Sequence, residues 1–255
     1  MPSILDSFNL TGKTAVVTGS SRGLGQAYAE ALAEAGADVV LVDIVASTET
    51  EARVRALGRQ TLSVVANLAD RTSIPRVIEE AKKLTGRLDI LVNNAGIIRR
   101  EDFDKFSEKD WDDVINVNLN AVFFLSQAFV RELLAARSPG KIVNVASMLS
   151  FQGGIRVPSY TASKSAVLGL TRLMANELAG KGICINAIAP GYMATDNTAQ
   201  LRADEARNKA ILDRIPAGRW GEPGDLKGTV VFLASSASDY VNGHTIAVDG
   251  GWLAR

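Results

Sequence analysis

Thr14-Ala15-Val16-Val17-Thr18-Gly19-Ser20-Ser21-Arg22-Gly23-Leu24-Gly25 is the stretch on which the fold turns. A short β-branched run ends in a glycine-rich turn, and helical periodicity takes over from Gln26. Strand, glycine turn and helix in that order open a βαβ unit. Glycines at 19, 23 and 25 permit positive φ and a close backbone approach, and the helix N-terminus offers free N–H groups and a favourable dipole to an anion. With Ser21, Arg22 and Leu24 between them they read as a cradle for the pyrophosphate of a dinucleotide, the alternative being a purely structural turn.

Outward from this unit the pattern repeats. Strand-like runs at Thr14–Thr18, Asp38–Asp43, Thr61–Ala66, Ile90–Asn93, Lys141–Ala146, Ile183–Ala189 and Thr245–Val248 alternate with helical segments near Leu24–Ala35, Thr48–Leu57, Arg71–Leu84, Glu108–Ala136, Tyr160–Ala179 and Pro223–Ala234. That alternation predicts a doubly wound α/β fold: a seven-stranded parallel sheet with helices on both faces, in one domain spanning 1–255. Thr195–Pro216 breaks the rhythm as a polar, helical insertion past a strand's carboxyl end, where specificity loops sit; a surface excursion without a ligand is the alternative.

Composition removes several function classes. The 255 residues are 47% hydrophobic with zero net charge, so no broad cationic field exists for nucleic acid or a membrane surface. No apolar run is expected to reach the ~20 residues of a membrane span. The N-terminus lacks a basic segment followed by an apolar run, and the single cysteine, Cys184, in an apolar setting, reads as a buried structural thiol; both favour a reducing cytoplasm. The lone histidine, His244, sits between a turn and a strand, leaving no set of ligands for a metal and no Ser-His-Asp triad. Acid–base chemistry therefore falls to Tyr, Lys, Asp or Glu.

Asp43 closes the second strand 18 residues beyond Gly25, where a carboxylate accepts hydrogen bonds from the adenine ribose and repels a 2′-phosphate. It favours NAD; Arg22, able to pair with such a phosphate, argues the other way. The fourth strand runs into Asn93-Asn94-Ala95-Gly96, at the sheet end where ligands bind. Tyr160 and Lys164 are four apart at the start of a helix, so an ammonium lies one turn from a phenol and can lower its pKa. Ser147 follows the fifth strand directly, 13 residues before Tyr160, able to bond a developing alkoxide or simply to cap a turn. Asn116-Val117-Asn118-Leu119-Asn120 concentrates a poor helix former inside a helix, which a kink or a water-holding site at Asn118 explains as well as an exposed face does.

With its glycine turn, Asn-Asn-Ala-Gly motif, Asn118-Ser147-Tyr160-Lys164 set and Pro190-Gly191 pair, the chain resembles the classical short-chain dehydrogenase/reductase family over nearly its whole length. The resemblance implies a Rossmann-like sheet, a homotetramer, and roles for individual residues. Tyr160 is then the acid/base, Lys164 the ribose-binding cation, Ser147 the substrate-positioning hydroxyl and Asn118 the holder of a relay water. Asn94, Ala95, Gly96, Pro190, Gly191 and Thr195 would line the cofactor, with Asn67 and Leu68 near the adenine; many members have Asp where Asn67 stands. The stretches Arg99–Asp102, Ser147–Tyr160 and Gly191–Thr195 look like those of members that reduce keto sugar acids. Such a substrate needs a cation, for which Arg99, Arg100 and Arg156 are candidates, and a polar partner such as Gln152. Competing readings are a 3-oxoacyl-carrier-protein reductase, another sugar or polyol dehydrogenase, or a non-catalytic nucleotide-binding protein.

Overall fold

The computed structural model describes residues 3–255. Seven parallel strands form one sheet: β1 (Thr14–Thr18), β2 (Asp38–Asp43), β3 (Thr61–Val65), β4 (Ile90–Asn93), β5 (Gly140–Val145), β6 (Ile183–Pro190) and β7 (Thr245–Val248). Their order is β3-β2-β1-β4-β5-β6-β7. The order reverses between β1 and β4, so the crevice at the strands' carboxyl ends opens there. Val16 and Val17 are fully buried on opposite faces, as a parallel sheet covered on both sides requires.

One face is covered by α1 (Gly23–Glu34) and α9 (Lys227–Ala234), with α2 (Thr48–Ala56) beside α1. On that side Val17, Leu32, Leu41, Ile90, Val143, Ile188 and Val230 make one apolar core. On the other, α3 (Ser73–Lys82), α5 (Ala121–Ala136) and α6 (Pro158–Leu178) pack over Val16, Val40, Leu91, Ile142 and Ile185. Helix α4 (Glu108–Ile115) runs into α5 through one π turn at Asn116–Asn120. The predicted strands agree to within one residue at each end. Thr195–Pro216 holds two short helices, α7 (Ala199–Ala203) and α8 (Glu205–Leu212), as the polar pattern suggests.

Two expectations are corrected. The continuous helix Glu108–Ala136 is, by length and composition alone, long and apolar enough to cross a membrane, but Leu125, Phe129, Val130 and Leu133 lie buried in the sheet's core. Its apolarity serves packing. Cys184 is only half-buried, because β7 pairs with β6 only from Ala187 onward and the start of β6 is met on that edge by the 239–243 loop.

Candidate active site

The glycine turn is built by backbone geometry first. Gly19 (φ +65°) carries the chain from β1 into the turn, where an added Cβ would press on the Ala95 backbone at 2.9 Å. At Gly25 a Cβ would overlap the Gly19 carbonyl oxygen, so α1 starts in direct contact with the turn. Gly23 (φ +61°) begins α1 with nothing within 4 Å of where a Cβ would stand, leaving its backbone open. Thr18, to which the sequence reading gave no role, is the hub beneath: its Oγ1 accepts from the backbone N–H groups of Asn94 and Ala95, each at 3.0 Å. The Asn94 amide in turn donates to the carbonyls of Thr18 and Gly19. The ends of β1 and β4 are thereby locked together, with Gly96 lying against Asn118.

Asp43 joins this frame from β2. Its carboxylate accepts from the Ser21 N–H at 2.9 Å and the Ile44 N–H at 2.7 Å, which places a negative charge at the edge of the turn. Arg22 points the other way, reaching Asp196 of the insertion at 3.4 Å. Both side chains are largely exposed, so that ion pair contributes little energy. Asn67 spends its side-chain oxygen on the Ala69 N–H, while the Leu68 side chain is buried in the sheet–helix core, so only the backbone of Leu68 is free to face a ligand. Pro190 ends β6, Gly191 packs on Asp249, and Thr195 is bracketed by Thr198.

Catalytic candidates converge at the ends of β4, β5 and α6. Pro158 at the first turn of α6 fixes the helix start, so Tyr160 and Lys164 project from its first turns. Ser147, buried after β5, stands close enough to the Tyr160 phenol to act on its pKa. Burial raises the phenol's pKa above its usual 10; the Ser147 hydroxyl and the charge of Arg100 pull it partly back. Lys164 is buried with its Nζ 5.6 Å from the Tyr160 ring centre, donating to the Val145 carbonyl at 2.6 Å. Burial lowers its pKa from 10.5 to about 8. The expected depression of the phenol pKa by this lysine is not what this arrangement gives: the ammonium faces β5, and desolvation dominates the phenol.

Asn118 is fully buried in the π turn. Its Oδ1 accepts from the Ile97 N–H at 2.8 Å, and its Nδ2 donates to the Ile97 carbonyl at 2.9 Å and to Ser163 Oγ at 3.4 Å. Ser163 donates to the Tyr160 carbonyl, so the amide ties the loop after β4 to the helix bearing the phenol. A π turn skips one step of the helical ladder, which is how three asparagines are accommodated in mid-helix.

Of the arginines singled out by sequence, Arg99 pairs with Asp110 at 3.3 Å and Asp113 at 3.9 Å. Arg156 pairs with Glu101 at 3.3 Å and Asp102 at 3.0 Å. Both are thus engaged by two carboxylates each, a tertiary outcome that sequence spacing does not carry. Gln152 accepts from Arg214 at 3.2 Å. Among the described residues no group of three or more His, Cys, Asp or Glu side chains could hold a metal.

A sheet reversing at a glycine turn, with a half-buried Tyr between a buried Ser and a buried Lys beside it, is the frame of a nicotinamide-dependent oxidoreductase. Residues 19–253 match the family model described as enoyl-(acyl carrier protein) reductase. The chain is 65% identical to the 2-dehydro-3-deoxy-D-gluconate 5-dehydrogenase of Escherichia coli (strain K12), over 99% of this chain and 100% of that one. It is 64% identical to the enzyme of the same name from Dickeya dadantii (strain 3937), with the same coverage. A crystal structure of a candidate 2-deoxy-D-gluconate 3-dehydrogenase from Agrobacterium tumefaciens with bound NADP is 56% identical and superposes with a TM-score of 0.92, over 98% of this chain and 100% of that one. The protein belongs to the short-chain dehydrogenase/reductase family and is an oxidoreductase acting on CH–OH groups with a nicotinamide dinucleotide.

Proposed function

We propose that this enzyme reduces the C5 ketone of 3-deoxy-D-glycero-2,5-hexodiulosonate to give 2-dehydro-3-deoxy-D-gluconate, using NADH. The observation that carries the chemistry is the convergence of the buried Ser147 and the buried Lys164, its Nζ 5.6 Å from the ring centre, on the half-buried Tyr160. The substrate follows from full-length identity to relatives bearing that name. Gly19, Ser21, Arg22, Gly23, Leu24 and Gly25 would receive the dinucleotide, since the open backbone at Gly23 and the absence of side chains at Gly19 and Gly25 suit a pyrophosphate. Asn94, Ala95, Gly96, Pro190, Gly191 and Thr195 would complete the cleft, with Asn67 and Leu68 at its adenine end. When bound, the dinucleotide supplies the hydride.

The rest is work of the chain's own groups. Ser147 Oγ holds the ketone oxygen against the phenol, and Tyr160, kept protonated by burial, donates its proton to that oxygen as charge develops there. The charge of Arg100 offsets the resulting phenolate, while Lys164 would bind the nicotinamide ribose. Asn118 positions the loop after β4, and its neighbourhood is the place for the relay water that reprotonates the site. Incubation with NADH and the diketo acid tests the reading: dinucleotide consumption matched one to one by the 5-hydroxy product supports it, and turnover of acetoacetyl thioesters instead overturns it.

NAD is the proposed partner because Asp43 puts its charge where a 2′-phosphate would have to sit. The NADP-bound relative is one reason to test the point, and Arg22, pairing only weakly with Asp196, is another. Asp43→Ser is expected to shift the NADPH/NADH ratio of kcat/KM about 10- to 100-fold towards NADPH, the worth of one charged contact. An unchanged ratio would show that Asp43 does not read the ribose.

Lys164 carries a stability cost. Its folded pKa of about 8 lies below the 10.5 of the unfolded chain, so the unfolded state binds more protons between these values and stability rises with pH across that window. Lys164→Met is therefore expected to raise Tm by a few degrees at pH 7, about 2 kcal/mol after loss of the Val145 bond, while abolishing turnover. The gain should vanish near pH 10.5. Calorimetry at the two pH values checks it; a lower Tm at pH 7 contradicts it. The exposed Trp111, Phe123 and Leu134 of the Glu108–Ala136 helix support a homotetramer, and a neutral surface without a cationic field supports a cytoplasmic enzyme independent of nucleic acid.

A further inference from the structure

We propose that Arg214 is the specificity-determining cation that takes the carboxylate of the substrate, held ready over the ring of Trp252. This rests on the keto sugar acid reading above and goes beyond it by naming the group that selects an acid over a neutral sugar.

Arg214 follows α8, at the end of the insertion. Its guanidinium carbon stands 4.0 Å from the Trp252 ring centre, and Nη2 donates to Gln152 Oε1 at 3.2 Å. No ion pair among the described residues includes it, so a full positive charge is ordered by an aromatic face and one neutral amide. The fork keeps further N–H donors for an oxyanion.

Its place is set by three segments that meet at the site. Gln152 lies on the loop after β5, five residues beyond Ser147. Trp252, 5% exposed, packs with Met148, Ile211 and Ile215, so the C-terminal turn joins the residue next to Ser147 to the insertion. The Tyr192 ring, one residue past Gly191, meets the Trp252 ring at 4.8 Å. The guanidinium thus bridges the loop after β5 and the turn after β7.

A 5-keto hexonate demands a cation set apart from the phenol, because its carboxylate is at the opposite end of the carbon chain from the ketone. Arg99 and Arg156 are each neutralised by two carboxylates, and the field of Arg100 already falls on the phenol. Among the described residues Arg214 instead meets only a neutral amide and an aromatic face.

The test uses steady-state kinetics of the wild type, Arg214→Met and Arg214→Lys, with the diketo acid and with its uncharged methyl ester. Met keeps an apolar stem over Trp252 and removes the charge. KM for the acid should rise about 10- to 100-fold in Arg214→Met, at least tenfold more than KM for the ester, with kcat falling far less; Lys should recover part of the loss. Equal losses on acid and ester would make Arg214 only a roof tie and overturn the proposal, as would an unchanged KM for the acid. A wild type that ignores the diketo acid would overturn the substrate reading and this inference together, whereas an active wild type with an unaffected Arg214→Met overturns this inference alone.

Discussion

Tyr160→Phe is expected to lower kcat for ketone reduction by about 10²- to 10⁴-fold while leaving dinucleotide affinity and the circular dichroism spectrum as in the wild type. The substitution removes one oxygen from a half-buried ring. It deletes the proton donor that would serve the ketone oxygen beside Ser147. Packing of α6 is unaffected in kind, since Pro158 and the buried Ser159, Ser163 and Val167 fix the helix. Kinetics with saturating NADH checks it, and a variant retaining more than a tenth of wild-type kcat would remove the phenol from the reaction.

Gly25→Ala should be nearly as severe at the other end of the cleft. An added methyl would overlap the Gly19 carbonyl oxygen and lie 2.6 Å from Asn94 Nδ2, so the turn must open and the tie between the ends of β1 and β4 must stretch. Overpacking in an ordinary core costs ~1–3 kcal/mol, and contact with backbone in place of a movable side chain puts this case at the upper end. Dinucleotide affinity should fall by about 100-fold, with a lower Tm. Titration calorimetry reads the affinity; a value within threefold of wild type would mean that the turn is not the dinucleotide cradle.

How far the sequence carried the fold depends on the range of the forces involved. The seven strands were legible because each is a short β-branched run bounded by turn residues, and Asp43 and Asn93 close their strands where the pattern stops. The crowding of asparagine at 116–120 was compatible with an exposed face as much as with a kink, and the structure makes it a π turn with Asn118 buried. Long-range pairings were not legible. Nothing in the spacing of Arg156 shows that it turns to Glu101 and Asp102, 55 and 54 residues away, nor that Lys164 faces the Val145 carbonyl. Cys184 misled because local hydrophobicity was read as burial, when the covering strand starts three residues later. Thr18 carried no signal beyond its position at a strand end, and Arg214 none within a polar insertion. Their significance lies in what the fold brings beside them.

The central claim is that a protonated phenol and a hydride donor converge on the C5 ketone of a sugar acid. Initial rates of NADH consumption by the wild-type enzyme on the diketo acid, with the product analysed for position of reduction, test it most directly. The account predicts saturable turnover with kcat/KM of about 10⁴ M⁻¹s⁻¹ or more, one dinucleotide spent per molecule, and reduction at C5 alone. No consumption with either NADH or NADPH, or reduction at C2, would contradict it.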